Sequence, residues 1–259
     1  MMRLLALFAF AIVAIAALPS AMAFYNITAV NTTVTLNSNT SAYVQEQFTL
    51  FVSNSSYAQY NSNRNAVNLS LSHWQQVLYT SQLHENLIGR GHSIYHFEFL
   101  PGPLIIQTVN GGIATLTLSY YINNVTNESN IAPRQFEYIF NSSLFNFQNT
   151  ANGQILPPGA RLNIIMPKGA RVMSVYPIPD SPTQDYKGNY TNDTTFSWYS
   201  GELLSSFTFK YVTTQSLQAE VLAYLQGMYT NYAPELYAAV IIIIAAAILY
   251  FYRKGRTQD

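Results

Sequence analysis

Apolar and polar residues alternate along much of the chain, which is the pattern of β-strands that bury one face. Between Ile27 and Val52, two alternating runs flank a polar turn at residues 37–39 and predict a β-hairpin. Further strands are predicted at 67–71, 93–99, 104–109, 113–122, 136–140, 162–165, 172–175, 194–198 and 203–212. Many short strands with frequent turns favour a mainly β fold that resembles a β-sandwich.

Two segments instead show the period of an α-helix. Ser72 and Gln75 match a capping box, so a helix is predicted near 72–88. It is the one helix expected among the predicted strands. A juxtamembrane helix is predicted at 216–231, with Ser216 in the N-cap position. The second helix is either a spacer that packs on the sandwich or a helix that binds a partner or lies on the membrane.

The strands group into two regions around a segment that shows no periodicity. We expect an N-terminal β-rich region at 24–122, a linker at 123–133 and a C-terminal β-sandwich region at 134–213. The pattern leaves open whether these regions form one domain or two. Within the second region, the turn at Pro167-Lys168-Gly169 predicts that 162–165 and 172–175 are adjacent strands.

Both ends of the chain are hydrophobic. Residues 1–23 begin with Arg3, continue through an apolar stretch and close with Ala21-Met22-Ala23, as a secretory signal peptide does, so the mature chain would start at Phe24. An uncleaved signal anchor is the alternative interpretation.

At the other end, residues 236–252 carry no charge and predict a transmembrane helix. Arg253, Lys254 and Arg256 follow it directly, so the positive-inside rule places the tail, 253–259, in the cytoplasm and the preceding residues outside. The chain is thus expected to be a single-pass type I protein of the cell membrane.

Between these two ends lie ten Asn-X-Ser/Thr sequons, each a potential N-glycosylation site. Their asparagines are Asn26, Asn31, Asn39, Asn54, Asn68, Asn124, Asn127, Asn141, Asn189 and Asn192. Asn124, Asn127, Asn189 and Asn192 are the favoured acceptors because their surroundings predict loops. Asn31 and Asn68 fall in predicted strands, where we expect less use if the side chains face inward.

Composition excludes some functions. The chain has no cysteine, which excludes thiol catalysis and, together with the sequons, indicates a prokaryotic cell surface, with an archaeal one favoured. Residues 24–235 carry eight basic and eleven acidic residues, a net charge of −3, so nucleic acid is not an expected partner. The sequence contains no cofactor-binding motif, so we expect the protein to bind no cofactor.

The densest group of ionisable residues lies between His84 and Glu98. It lacks the His-Glu-x-x-His motif of zinc proteases, and His92 and His96 would stand roughly 13 Å apart on a strand, too far to share one zinc ion. His96 and Glu98 are expected to share a strand face; a polar surface is the favoured interpretation, and a metal site or pH-sensitive contact the alternative.

Two other sets of residues have a structural and a functional interpretation. Asp180, Asp185 and Asp193 lie in a polar segment, where loop solvation is favoured over a weak calcium contact. Trp74 and Trp198 are expected to be core residues rather than platforms for sugar stacking.

One part of the sequence resembles a known class of protein. The residues concerned are Leu156–Ala160, Met166–Asp180, Phe196–Trp198 and Phe207–Tyr211, which together resemble the membrane-proximal β-sandwich domain of archaeal single-pass cell-surface proteins. The resemblance implies a location and a fold. It assigns no catalytic or binding residue.

Three functions are compatible with these patterns. The favoured one is a non-enzymatic, N-glycosylated surface protein with an envelope-structural, surface-layer or adhesion role. The second is an accessory or sensory subunit whose transmembrane and juxtamembrane helices dock on another membrane protein. The third is a surface hydrolase using His96 and nearby acids, which the absence of a catalytic motif in the sequence makes the least favoured.

Overall fold

The computed structural model describes residues 25–66, 70–88, 94–106, 109–183, 190 and 193–218, with positions 220–222, 226, 227, 230, 237 and 242 beyond them. The expected signal peptide and cytoplasmic tail lie outside these residues, as does most of the expected membrane span. Within the described residues, no helix is both long and apolar enough to cross a membrane.

The fold is mainly β, as the alternating pattern predicts. The strands, in chain order, are β1 (Tyr25–Leu36), β2 (Ala42–Ser53), β3 (Ile94–Pro101), β4 (Ile105–Ile106), β5 (Gly111–Ile122), β6 (Thr126–Ala132), β7 (Gln135–Phe140), β8 (Gln148–Thr150), β9 (Gly153–Ile155), β10 (Ala160–Ile165), β11 (Arg171–Tyr176), β12 (Thr195–Tyr199) and β13 (Thr208–Thr214). The predicted first hairpin is confirmed, since β1 and β2 pair antiparallel with Val34 opposite Val44.

A seven-stranded sheet contains most of these strands. Its order is β12-β10-β1-β2-β5-β3, and β4 also pairs with β5. The described pairings are antiparallel except that of β1 with β10, in which Thr32 lies opposite Leu162. This parallel pair joins the two regions that the sequence separated, so 24–122 and 134–213 contribute to one sheet.

Two smaller sheets each include strands that the sequence did not predict. The four-stranded sheet has the order β11-β13-β7-β6, and β6 falls inside the expected linker 123–133. A two-stranded sheet, β8 with β9, forms in a segment for which the sequence predicted no strand. Most residues of β6 and β8 are exposed polar residues, so neither strand produces an apolar alternation that the sequence could show.

The predicted adjacency of 162–165 and 172–175 is wrong. β10 belongs to the seven-stranded sheet and β11 to the four-stranded sheet, so the turn at Pro167-Lys168-Gly169 connects two sheets instead of closing a hairpin. Gly169 has a φ of +81°, which an L side chain rarely adopts. The turn motif therefore predicted correctly that the chain turns at residues 167–169, but it could not predict which strands pair with β10 and β11.

Aromatic side chains fill the core between β12 and β13. Trp198 is fully buried, with its ring 5.0 Å from that of Phe207 and 6.2 Å from that of Phe209. Trp74 is also fully buried, 5.4 Å from the ring of Tyr60. Both tryptophans are thus core residues, as predicted.

The helices differ from the prediction in number and length. Helix α1 (Tyr57–Arg64) was not predicted, because its polar sequence buries Tyr60 alone. Helix α2 (Leu71–Leu78) is capped by Ser70, whose Oγ accepts a hydrogen bond from the His73 N–H at 3.2 Å. The predicted cap at Ser72 and the extension toward residue 88 are therefore wrong; Tyr79, at a φ of +50°, ends the helix.

The chain divides into two compact units. The first contains Met1–Glu128 and Tyr138–Tyr211, and the second Ser129–Glu137 and Val212–Asp259. Within the second unit, the Gln215 N–H donates to the Arg134 carbonyl at 2.8 Å, and Arg134 Nε lies 3.8 Å from Glu220 Oε2. Residues 217, 218, 220–222, 226, 227 and 230 are helical, where the juxtamembrane helix was predicted.

Candidate functional site

A cavity of about 370 Å³ lies beside the first half of β1, in the first unit. Its floor is formed by residues 27–30 of β1. The segment from Ser81 to Asn86 forms one wall, and Phe147 and Gln148 form another. The two prolines before β10, Pro157 and Pro158, complete the rim together with Ala160.

The cavity exists because β1 begins before its parallel neighbour does. Pairing with β10 starts only at Val30, which lies opposite Ala160, so the residues before Val30 have no partner from β10. Gly159 makes the tight entry to β10 with a φ of +77°, and a Cβ there would lie 2.6 Å from the Thr28 carbonyl oxygen. The open edge of β1 becomes the floor.

The wall from Ser81 to Asn86 is held in place at His84. Its Nδ1 lies 2.8 Å from the Ser81 carbonyl oxygen and its Nε2 lies 2.9 Å from the Asn146 carbonyl oxygen. Carbonyl oxygens only accept hydrogen bonds, so a neutral imidazole donates to one of them and an imidazolium to both. The Asn146 N–H also donates to the Asn86 carbonyl at 2.8 Å, which ties the wall to the chain just before β8.

A fully buried carboxyl group, that of Glu46, lies beneath this wall. Glu46 is on the inner face of β2, opposite Thr32 of β1 and Leu118 of β5. Its Oε1 accepts from the Asn86 N–H at 2.8 Å and from the Tyr120 hydroxyl at 2.6 Å. Its Oε2 accepts from Asn86 Nδ2 at 2.7 Å. Asn86 therefore belongs both to the cavity lining and to the buried network.

Burial favours the neutral form of this carboxyl. Loss of hydration raises the pKa of Glu46 to about 8, although the hydrogen bonds from Tyr120 and Asn86 act in the opposite direction. Tyr120 also contacts the next residue of this wall: its hydroxyl oxygen lies 3.1 Å from the Leu87 carbonyl oxygen and accepts a hydrogen bond from the Leu87 N–H at 3.3 Å. Glu46 is thus a buried acid that holds the 86–87 backbone on the sheet.

The sequence prediction did not single out Glu46, although a signal was present. Val44, Glu46 and Phe48 have the same parity in an alternating strand, so a core face that includes Val44 and Phe48 must also include the carboxyl group. The cavity itself had no comparable signal, since it depends on where the pairing of two distant strands begins.

The ionisable residues singled out from the sequence do not converge on this cavity, apart from His84. His96 and Glu98 are exposed on β3, but the alternation is broken there by an irregularity between Tyr95 and Glu98. His96 has a φ of +51°, and its ring packs 6.0 Å from that of Tyr121. His92 lies outside the described residues, among which no three histidine or acidic side chains gather as a metal site would require.

The predicted acidic segment has one clear contact. Asp180 Oδ2 accepts a hydrogen bond from the Tyr199 N–H at 2.8 Å, which fixes this segment beside β12. Asp193 is half-buried, and Asp185 lies outside the described residues.

Seven sequon asparagines lie in the described residues, and five of them are exposed: Asn26, Asn39, Asn54, Asn124 and Asn127. Asn31 and Asn141 are half-buried. Asn31 lies in β1, and its Oδ1 accepts from Asn163 Nδ2 at 2.6 Å. Asn68, Asn189 and Asn192 lie outside the described residues, as do the residues expected to orient the membrane span, Arg253, Lys254 and Arg256.

Comparison with known proteins adds no assignment, since no protein-family model and no curated protein matches this chain.

Proposed function

We propose that this protein is a non-enzymatic, N-glycosylated cell-surface protein, held by a C-terminal transmembrane helix at 236–252, with an envelope-structural, surface-layer or adhesion role. The observation that carries the proposal is the exposure of five sequon asparagines on a mainly β unit. Acceptor side chains at such positions are open to modification without unfolding of the core.

A glycan at Asn127 would have a protective effect on the fold. Asn127 lies in β6, which is an edge strand of the four-stranded sheet and exposes polar residues along most of its length. Unpaired edge strands are templates for association with other chains. A glycan on Asn127 would cover such an edge while adding solubility to a chain in which charged residues make up 9%.

Glycopeptide mapping of the protein purified from its native membranes tests the proposal. We expect Asn124 and Asn127 to be occupied and Asn31 to be occupied less, because its side chain is half-buried and bonded to Asn163. An intact mass equal to the bare chain from Phe24 would contradict the glycoprotein proposal.

An accessory or sensory subunit is the second candidate, and one observation favours it. Leu217, Val221 and Leu222 lie in the helical segment of the second unit and are 61%, 49% and 57% exposed. Apolar side chains on an open helix face suit contact with a partner or with lipid. Gentle solubilisation and pull-down separates the candidates: stoichiometric recovery of one integral membrane protein supports the subunit, and co-purification with surface-layer material supports the envelope role.

A further inference from the structure

We propose that the cavity beside β1 binds an uncharged carbohydrate. This inference deepens the adhesion role proposed above and rests on it for the setting in which carbohydrate is met. The binding itself is a property of the cavity and is testable apart from cellular location.

The charge of the lining selects the ligand class. The described lining contains no carboxylate, ammonium or guanidinium group, and its one ionisable side chain, His84, already has both ring nitrogens beside carbonyl oxygens. A charged ligand that entered this cavity would lose hydration and would meet no carboxylate, ammonium or guanidinium group, while both nitrogens of His84 are already beside acceptors of the chain. An uncharged polar ligand meets no such cost.

The polar groups of the rim suit hydroxyl groups in particular. Gln82 and Gln148 are exposed on two walls, and within the described residues their side-chain amides have no hydrogen-bond partner. An amide both donates and accepts, as does the Ser81 hydroxyl next to it, and sugar hydroxyls need both kinds of partner. These groups are therefore available to a polyhydroxylated ligand.

Apolar surfaces complete the match. Pro158 is exposed at the rim and Pro157 is half-buried, while Ile27 and Ala29 form part of the floor. These surfaces complement the C–H faces of a sugar ring. The volume of about 370 Å³ falls at the lower end of small-ligand sites, which suits one or two sugar residues.

The carbohydrate could come from two sources. Asn26 is an exposed sequon asparagine directly before Ile27 of the cavity floor, so a glycan on this chain could reach the cavity. A glycan from another molecule is the second source. Both share the chemistry proposed here, and the experiment distinguishes them.

The test is calorimetric titration of the full chain, produced without N-glycans and kept in a detergent that has no sugar headgroup. The probes are neutral trisaccharides of glucose, galactose and mannose, with trigalacturonate as the charged counterpart. We expect saturable binding of at least one neutral probe and at least tenfold weaker binding of trigalacturonate.

Variants locate the binding. Gln82→Ala and Gln148→Ala should each weaken it about five- to tenfold, the loss of one hydrogen bond, whereas Gln76→Ala, on the exposed face of α2, should leave it unchanged. Ser81→Trp should abolish binding by filling the cavity, with Ser200→Trp in an exposed turn as its control. Unchanged melting temperatures establish that these variants fold.

The native, glycosylated chain then identifies the source. If it binds no probe until Asn26→Gln is introduced, the cavity holds its own glycan; if it binds without that change, the ligand comes from another molecule. The proposal is overturned if no neutral probe binds the glycan-free chain, or if the three cavity variants do not weaken binding relative to their controls. A bare native mass would contradict the glycoprotein proposal and leave this result untouched.

Discussion

Replacing Glu46 by glutamine should change how the stability of the protein depends on pH. The wild-type carboxyl has a pKa of about 8 in the folded protein and an ordinary value of 4.5 when exposed. Between these pH values the folded state holds one more proton than the unfolded state, so the free energy of unfolding falls as pH rises. The stabilisation is complete below pH 4.5 and lost above about pH 8.

The size of the effect follows from this interval. One pH unit corresponds to roughly 1.4 kcal/mol, so the full interval is worth on the order of 5 kcal/mol. Glutamine does not titrate and removes this dependence. It also introduces a mismatch, because Asn86 presents a donor to each carboxyl oxygen, its N–H to Oε1 and its Nδ2 to Oε2, so the amide nitrogen faces a donor in either orientation. That mismatch costs about 1–3 kcal/mol at every pH.

The two stability curves should therefore cross. At pH 4.5, Glu46→Gln is expected to be less stable than the wild type by about 1–3 kcal/mol. Above pH 8 it is expected to be the more stable protein, because the wild type has lost more than the mismatch costs. Urea unfolding from pH 4 to 9, followed by near-ultraviolet circular dichroism, measures both curves. Parallel curves would refute the assignment of Glu46 as a buried, neutral acid.

Two further comparisons test the packing. Trp198→Ala should lower the free energy of unfolding by roughly 3–5 kcal/mol, because it removes a large side chain from the core. His96→Ala replaces an exposed residue of β3 and should change the free energy of unfolding by no more than about 0.5 kcal/mol. Loss of cellular function in a folded His96→Ala protein would instead indicate chemistry at β3. Gly159→Ala should lower the free energy of unfolding by about 2–4 kcal/mol, because the residue has a positive φ and the added Cβ would lie 2.6 Å from the Thr28 carbonyl oxygen. Gly169 also has a positive φ, but a Cβ there meets no atom within 4 Å, so Gly169→Ala should cost about 1 kcal/mol. Equal costs for the two glycines in urea unfolding would contradict the close approach at the cavity floor.

Local patterns predicted the elements that depend on local sequence. The first hairpin is an example, since the alternation from Ile27 to Val52 and the polar turn between its halves determine both strands and their reversal. The burial of both tryptophans followed from residue type. The polar strand β6 and helix α1 bury few side chains, so neither gave an apolar period to detect.

Pairings between distant segments could not be predicted in this way. The parallel pairing of β1 with β10 and the division of β10 and β11 between two sheets depend on which surfaces meet when the whole chain packs. The cavity exists because the β1–β10 pairing starts only at Val30. Since that pairing could not be predicted from the sequence, the candidate site could not be predicted either. Glu46 is the exception, because its position among alternating core residues was visible in the sequence.

Protease accessibility on intact cells tests the proposed surface location most directly. A broad-specificity protease is added to intact and to permeabilised cells, and the membrane fraction is analysed by mass spectrometry. The proposal predicts that intact cells lose the β-rich regions between residues 24 and 213 and retain a short fragment that includes residues 236–252. Full-length protein that survives in intact cells but is digested after permeabilisation would contradict the proposal.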